Sequence, residues 1–300
     1  MKSYGICPAS CGEFVQGILD NEEYLSSYAI DMFSIVSLEE KKENIKLGPN
    51  KSRKAIEKVF EKFNIPLQES KNISLKIKSD IPIGKGMASS TADIGATIKA
   101  TLSLINKELD DEEISLMASN IEPTDSILLY KNSIFNPLNG RVKKYLSTLD
   151  NANVIILEPE EILKTSKIRK NPNYFERKLE NKETINKCFD LLEKGLREKN
   201  LSLIGQACTL SSLANENIHR KPYLEEIIEI SNNMGAYGVN IAHSGTVVGI
   251  LIDNKMDHER VIRQLKESEL SSYYKKIYLA KIIGDIQREE LEWNMLKTLK

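Results

Sequence analysis

A chain of 300 residues with 42 basic and 43 acidic side chains has a formal net charge of −1. That balance excludes the electrostatic footprint of a nucleic-acid binder, and no apolar run reaches the length of a membrane span. With 41% hydrophobic residues, the chain can fill the core of one large domain or two of ordinary size. The N-terminus lacks the basic, apolar and cleavable segments of a secretory signal. Cys7 and Cys11 form a close pair, but Cys188 and Cys208 do not make a second one that would complete a zinc site. Free buried thiols in a reducing, cytoplasmic setting are therefore expected.

Residues 4–17 read Tyr-Gly-Ile-Cys-Pro-Ala-Ser-Cys-Gly-Glu-Phe-Val-Gln-Gly, a Gly- and Pro-punctuated edge strand and turn. Ser10, Glu13 and Gln16 there suit a polar ligand, and equally suit capping and solvent. Strand-like alternation follows over 25–47, with Ile35, Val36 and Leu38. Residues 52–63 read as an amphipathic helix with Ile56, Val59, Phe60 and Phe63 on one face. Ile73, Leu75 and Ile77 alternate with polar residues as in a half-buried strand, whereas Ile94, Ile98, Leu102 and Ile105 recur at helical spacing.

Between that strand and that helix lies Pro82-Ile-Gly-Lys-Gly-Met-Ala-Ser-Ser-Thr-Ala92. Gly84, Gly86 and Ala88 let the backbone approach a bulky anion. The unpaired amides and dipole of the first helical turn favour negative charge. The hydroxyls of Ser89, Ser90 and Thr91 suit a cap or a metal. Together they describe a phosphate cradle, although a plain glycine turn with a Ser/Thr cap uses the same residues. No P-loop, dinucleotide fingerprint or protein-kinase signature is present.

Residues 111–120 predict a helix with an acidic first turn. Glu122-Pro-Thr-Asp-Ser126 is a tight polar turn holding Asp125. Composition shifts over 136–152, placing a domain boundary at 145–153. A short strand covers 154–157, and the basic stretch 164–177 reads as a solvated loop or lid edge. Helical patterns cover 181–198, 201–215 and 222–234. Two strand-like runs in 238–252 flank Ala242-His-Ser-Gly-Thr246, as in a hairpin. A strand over 276–283 and a helix containing Trp293 close the chain.

Segment 82–92 resembles, without a gap, the Pro-x-Gly-x-Gly-Leu-Gly-Ser-Ser-Ala-Ala motif of the galactokinase, homoserine kinase, mevalonate kinase and phosphomevalonate kinase (GHMP) superfamily. Segments 8–13, 122–126 and 238–249 resemble its other motifs in the same order. The departures are Met87, Ala88 and Thr91, and His-Ser-Gly where relatives have a denser glycine run. Ala88 is a mild departure only if its φ is negative.

The resemblance implies an α+β, two-domain GHMP kinase fold. Residues 1–148 would be ribosomal protein S5 domain 2-like and 149–300 ferredoxin-like, with the site in the cleft between them. It implies ATP held by Pro82, Gly84, Lys85, Gly86, Met87, Ala88, Ser89 and Ser90. Ser90 and Glu122 would hold Mg2+, and Asp125 would be catalytic. The acceptor would meet Ser10, Glu13, Gln16, His243, Ser244 and Gly245.

Within the superfamily, Pro-Ala-Ser-Cys-Gly-Glu-Phe-Val-Gln-Gly, Gly-Lys-Gly-Met-Ala-Ser-Ser-Thr-Ala-Asp and Glu-Pro-Thr-Asp-Ser are similar to the L-threonine kinases of propanediol utilisation and cobalamin assembly. That likeness implies L-threonine as the small-molecule partner, with no nucleic acid and no membrane. A homoserine or sugar kinase of the same fold, or an inactive binding module, are the alternatives; Ser90 and Asp125 together argue against the last. Nothing in the sequence indicates an oligomeric state.

Overall fold

The computed structural model describes residues 1–163, 168 and 172–299. Alternating apolar residues build four early strands: β1 (Lys2–Ala9), β2 (Glu13–Leu19), β3 (Glu22–Ser27) and β4 (Ala29–Glu40). Asp20 and Asn21 take positive φ of 50° and 66°, the conformation a two-residue hairpin needs between β2 and β3. Helices α1 (Asn50–Lys62) and α2 (Leu67–Ser70) precede β5 (Ile73–Ser79). Helices α3 (Ser89–Leu104) and α4 (Asp111–Ser119) follow, the latter opened by a reciprocal capping box between Asp110 and Glu113. A single 3-10 turn at Ser126–Leu128, then β6 (Ser133–Phe135) and β7 (Val142–Tyr145), complete the first half.

In the second half, β8 (Ala152–Glu158) leads to α5 (Tyr174–Glu180), α6 (Lys182–Glu198), α7 (Leu201–Ala214) and α8 (Leu224–Asn233). The hairpin β9 (Gly238–Ile241) and β10 (Val248–Asp253) comes next, then α9 (His258–Glu267), β11 (Lys276–Ile283) and α10 (Asp285–Leu299). The expected loop at 164–177 lies largely outside the described residues. Its end is corrected: Tyr174 begins a helix and is buried rather than solvated.

The strands form one antiparallel sheet of order β1-β4-β11-β8-β10-β9-β2-β3-β6-β7, with β5 also on β4. The inner run β11-β8-β10-β9 is the order of a ferredoxin-like βαββαβ unit. Early strands flank it on both sides. Ile30 of β4 pairs with Ile282 of β11, and Glu13 of β2 pairs with Ile241 of β9. Helix α3 crosses β1 at Gly5, where a Cβ would lie 2.0 Å from the Ala96 carbonyl oxygen. All four cysteines are buried and free, and no helix among the described residues is long and apolar enough to cross a membrane.

Helix α10 is tied into the first half by buried charge. Arg288, 1% exposed, donates from Nη1 to the carbonyls of Ile127 and Leu129 at 2.7 Å each. Its Nε donates to Glu292, which also accepts from Lys99 and from the Tyr130 hydroxyl. Burial would raise the Glu292 carboxyl, but Lys99 and Arg288 outweigh it and hold it at about 2. Because this lies below the ordinary 4.5, the pairing stabilises the fold above that pH and is lost as pH falls towards 2. The linkage is on the order of 3 kcal/mol. In urea unfolding, Glu292→Gln should lose about 3–5 kcal/mol at pH 7, since it leaves buried cations unpaired. The gap should shrink markedly by pH 2.5; an undiminished gap there would assign the loss to packing.

Candidate active site

The phosphate-loop residues form a turn sequence that only small side chains tolerate. Gly84 and Gly86 have φ of 72° and 83°, and Ala88 has φ 56° and ψ 24°. Ala88 is therefore not a mild departure: a Cβ sits where the left-handed region disfavours one. Ala88 is the N-cap of α3 with no side-chain cap bond, so the hydroxyls do not cap the helix as one sequence reading allowed. The amides of Ser89, Ser90 and Thr91 begin the helix without intrahelical partners. Pro82 and Ser89 are half-buried at the two ends of the loop, and Met87 is buried with its sulfur 3.8 Å from the Tyr278 hydroxyl.

Two distant segments clamp this loop. Ser10 N–H donates to Met87 O at 3.3 Å, and Gly12 N–H to Gly86 O at 3.2 Å. From the β9–β10 turn, Thr246 and Val247 N–H donate to Lys85 O at 2.8 and 3.1 Å. A Cβ on Gly86 would lie 2.8 Å from Gly245 Cα, and one on Gly245 would lie 2.4 Å from Gly86 Cα. Glycine at both positions is what lets the two loops touch. Lys85, expected among the ATP-binding residues, turns its side chain away from the loop. Its ammonium donates to the carbonyls of Pro159, Glu160 and Glu161 at 2.6–2.8 Å. Those three bonds use every donor it has, leaving only its backbone at the loop.

At the start of α3, Ser90 Oγ donates to Glu122, and the Lys51 ammonium bonds both Glu122 and, at 3.0 Å, Ser90 Oγ. Thr124 reaches Thr91 across the same gap at 3.3 Å. The structure thus brings together Ser90 and Glu122, which sequence paired, and adds Lys51, which sequence reasoning missed. Lys51 sits in the first turn of α1 as one of many lysines, with no spacing to mark it. A hydroxyl and a carboxylate already sharing one cation are hard oxygen donors of the kind Mg2+ takes alongside phosphates.

Asp125 is 8% exposed and caps the 3-10 turn, accepting from Ile127 N–H at 3.2 Å. Burial, then the neighbouring Glu13 charge, push its carboxyl up to about 7, against the Ser27 hydroxyl and the amides of Ile127 and Ser126. Glu13 Oε2 accepts from both the amide and Nδ1 of His243, at 3.0 and 2.9 Å. His243 Nε2 meets Ser211 Oγ at 3.0 Å, and Ser211 Oγ accepts from Gln16 N–H at 3.3 Å. With Nδ1–H given to a carboxylate, Nε2 is the acceptor; burial also pushes His243 down. Both ring nitrogens are thus engaged inside the protein.

Gly245 N–H, expected to face the acceptor, donates to Ala242 O at 3.1 Å and is corrected to a turn bond. Gln16 lines a cavity of about 10 Å3 with Lys178 and Asn215, about one water in size and too small for the acceptor. Ser10 Oγ is buried without a partner, and Ser244 is half-buried.

Sequence reasoning also missed Lys221, whose ammonium is buried. The constellation is one acidic pair, one hydroxyl–carboxylate cation site and a clamped glycine loop at a helix start. It can hold a phosphate chain and polarise an alcohol.

Ala88→Gly tests the loop's strain. Relief of the left-handed penalty, about 1–2 kcal/mol, less glycine's extra unfolded-state entropy of about 0.4–1 kcal/mol, should raise stability by roughly 0.5–1 kcal/mol. The check is the urea midpoint at unchanged m-value; a lower midpoint would mean that the lost methyl contacts outweigh the strain.

Comparison with known proteins bears on the family and the fold. The family model for the GHMP kinases N terminal domain matches residues 50–128, and the GHMP kinases C terminal model matches 192–269. An L-threonine kinase of Salmonella typhimurium is 31% identical over 278 residues, covering 92% of each chain. One from Citrobacter freundii is 28% identical over 92% of this chain and 96% of that one. Among solved structures, the homoserine kinase of Cytophaga hutchinsonii superposes with a TM-score of 0.71 at 16% identity, over 94% of this chain and 95% of that one. The Methanococcus jannaschii mevalonate kinase gives 0.68 at 22% identity over 95% and 98%; these two likenesses speak to the fold alone. Since both family models find their segments in order, and a relative shares almost the full length, the chain belongs to the GHMP kinases.

Proposed function

We propose that this protein is an ATP- and Mg2+-dependent kinase that phosphorylates the hydroxyl of L-threonine, giving O-phospho-L-threonine and ADP. The observation that carries the reading is the buried Glu13–Asp125 pair beside a glycine loop clamped by both halves of the chain. The choice of acceptor is supported by the two L-threonine kinases to which the chain is similar.

Phosphoryl transfer passes through a loose transition state, so positioning and charge neutralisation do most of the work. The first-turn amides of α3 and the 84–88 backbone bind the phosphate chain. Ser90 and Glu122 would hold Mg2+, which when bound supplies neutralising charge at the phosphates. Lys51 adds a second positive charge beside Glu122. Asp125 accepts the hydroxyl's hydrogen bond, orients it and takes its proton as the new bond forms. Glu13 offers its carboxylate to the acceptor's ammonium while His243 holds its Oε2. Glu13 also keeps Asp125 basic enough to receive a proton near neutral pH.

Purified protein with ATP, Mg2+ and a panel of alcohols should convert L-threonine most efficiently. Serine should be a weaker substrate, since one methyl group is worth roughly 1–3 kcal/mol. Homoserine or a sugar turning over while threonine does not would overturn the assignment. Asp125→Asn should lower kcat by about 10²–10⁴-fold with little change in ATP affinity; a loss under about tenfold would leave Asp125 as a turn cap. Because the Asp125 carboxyl is raised, activity should rise as pH passes about 7. Glu13→Gln should move that limb to lower pH, and Asp125→Asn should remove it. Separately, Ser90→Ala should raise the Mg2+ concentration giving half-maximal rate; an unchanged Mg2+ dependence would remove Ser90 from the metal site.

A further inference from the structure

One buried charge has no task in that mechanism. Lys221 lies between α7 and α8, is 2% exposed, and its Nζ has no hydrogen-bond partner. The position is a built one. Lys221 N–H donates to Glu216 Oε1 at 2.7 Å, and its carbonyl accepts from Leu224 N–H at 3.3 Å. The nearby carboxylate of Glu216 thus binds the backbone and leaves the ammonium alone. Burying an ammonium with no acceptor is costly, and such a group calls for a partner that comes and goes.

The surroundings of the ammonium are acidic. Burial drives the Lys221 ammonium down to about 7, while Glu13, Glu216 and Glu161 pull it back. Its charge in turn bears on His219 and His243. The turn that carries Lys221 lies against the β9–β10 turn: His219 Nε2 meets Gly245 O at 3.2 Å, and Asn215 Nδ2 donates to His243 O at 3.5 Å. His243 in turn holds Glu13, whose charge bears on both Lys221 and Asp125. Donors expected to meet the acceptor are largely spent. Both His243 ring nitrogens and the Gly245 amide are bonded within the protein. A zwitterion with a hydroxyl presents three groups, and Glu13, Asp125 and Lys221 are three complements to them.

We propose that Lys221 is the anion anchor of the acceptor site: its unpartnered ammonium receives the carboxylate of an amino-acid acceptor whose ammonium faces Glu13 and whose hydroxyl faces Asp125. This rests on the reading of the cleft as a small-molecule kinase site, though not on the acceptor being threonine. The acceptor completes the lysine's hydrogen bonding. An acceptor without a negative group leaves a buried charge bare and is rejected on that account.

The test compares L-threonine with L-threoninamide, which keeps the ammonium and the hydroxyl but loses the negative charge. Wild-type protein should favour threonine in kcat/KM by about tenfold to a hundredfold, the worth of a hydrogen bond to a charged group. Lys221→Met should erase that preference by losing activity on threonine alone, with the KM for ATP nearly unchanged. Lys221→Arg should keep part of it. A preference that survives in Lys221→Met, or an equal loss on both substrates, would overturn the proposal. Since Lys221→Met removes an unpaired buried charge, it should melt no lower than wild type. If it does not fold, the wild-type melting shift decides: threonine should raise it more than threoninamide, and equal shifts reject the anchor. Should wild-type protein phosphorylate homoserine and not threonine, the substrate assignment fails, and homoserine with its amide repeats the test. An uncharged alcohol as the preferred acceptor would reject the anchor itself.

Discussion

The site depends on one close contact. The carbonyl of Lys85 accepts two amides from the β9–β10 turn, and that is possible only because Gly86 and Gly245 present no side chains where they meet. Residues some 160 positions apart therefore share one rigid corner. The phosphate loop is braced from beneath by Gly12 and Ser10 as well. The loop's conformation is thus fixed by two distant segments, which suits a site whose chemistry is mostly placement.

Around that corner the protein concentrates charges that burial makes expensive. Asp125 is raised by burial and by Glu13, and Lys221 is lowered by burial alone, with the surrounding acids opposing it. In the network of Arg288, Glu292 and Lys99, by contrast, the carboxylate is paired with both cations and held low, although Arg288 Nη2 has no partner. Charges of α10 hold the 126–128 turn through its carbonyls, while charges shifted by burial gather at Asp125 and Lys221. Such a division is expected where stability is given up locally so that a ligand supplies the missing partner.

The glycine loop proposed to hold phosphate was legible in the sequence as a local object. Strand, small residues, hydroxyls and helix follow one another, and the other motifs lie in family order. The hairpin over 238–252 and the helices over 181–234 were legible for the same reason, since their periodicity is local. What stayed hidden was set by distant partners. The direction of Lys85 is decided by carbonyls 74–76 residues away. Lys51 joins Glu122 across 71 residues. Lys51 and Lys221 look like any of the other basic residues until the fold exposes one and buries the other. The sign of φ at Ala88 follows from how the loop is clamped, which no run of residues records.

The strand order has a consequence for how the chain is made. β11 lies between β4 and β8, and β9 lies against β2. During synthesis the early strands emerge with two hydrogen-bonding edges that only residues far downstream can cover. The carbonyls behind the catalytic turn wait even longer, for Arg288. A nascent chain on the ribosome therefore holds its phosphate loop well before it holds a working site. Closing such long-range pairings is slow and leaves strand edges open to wrong partners, and the carbonyls of Ile127 and Leu129 stay bare until Arg288 arrives.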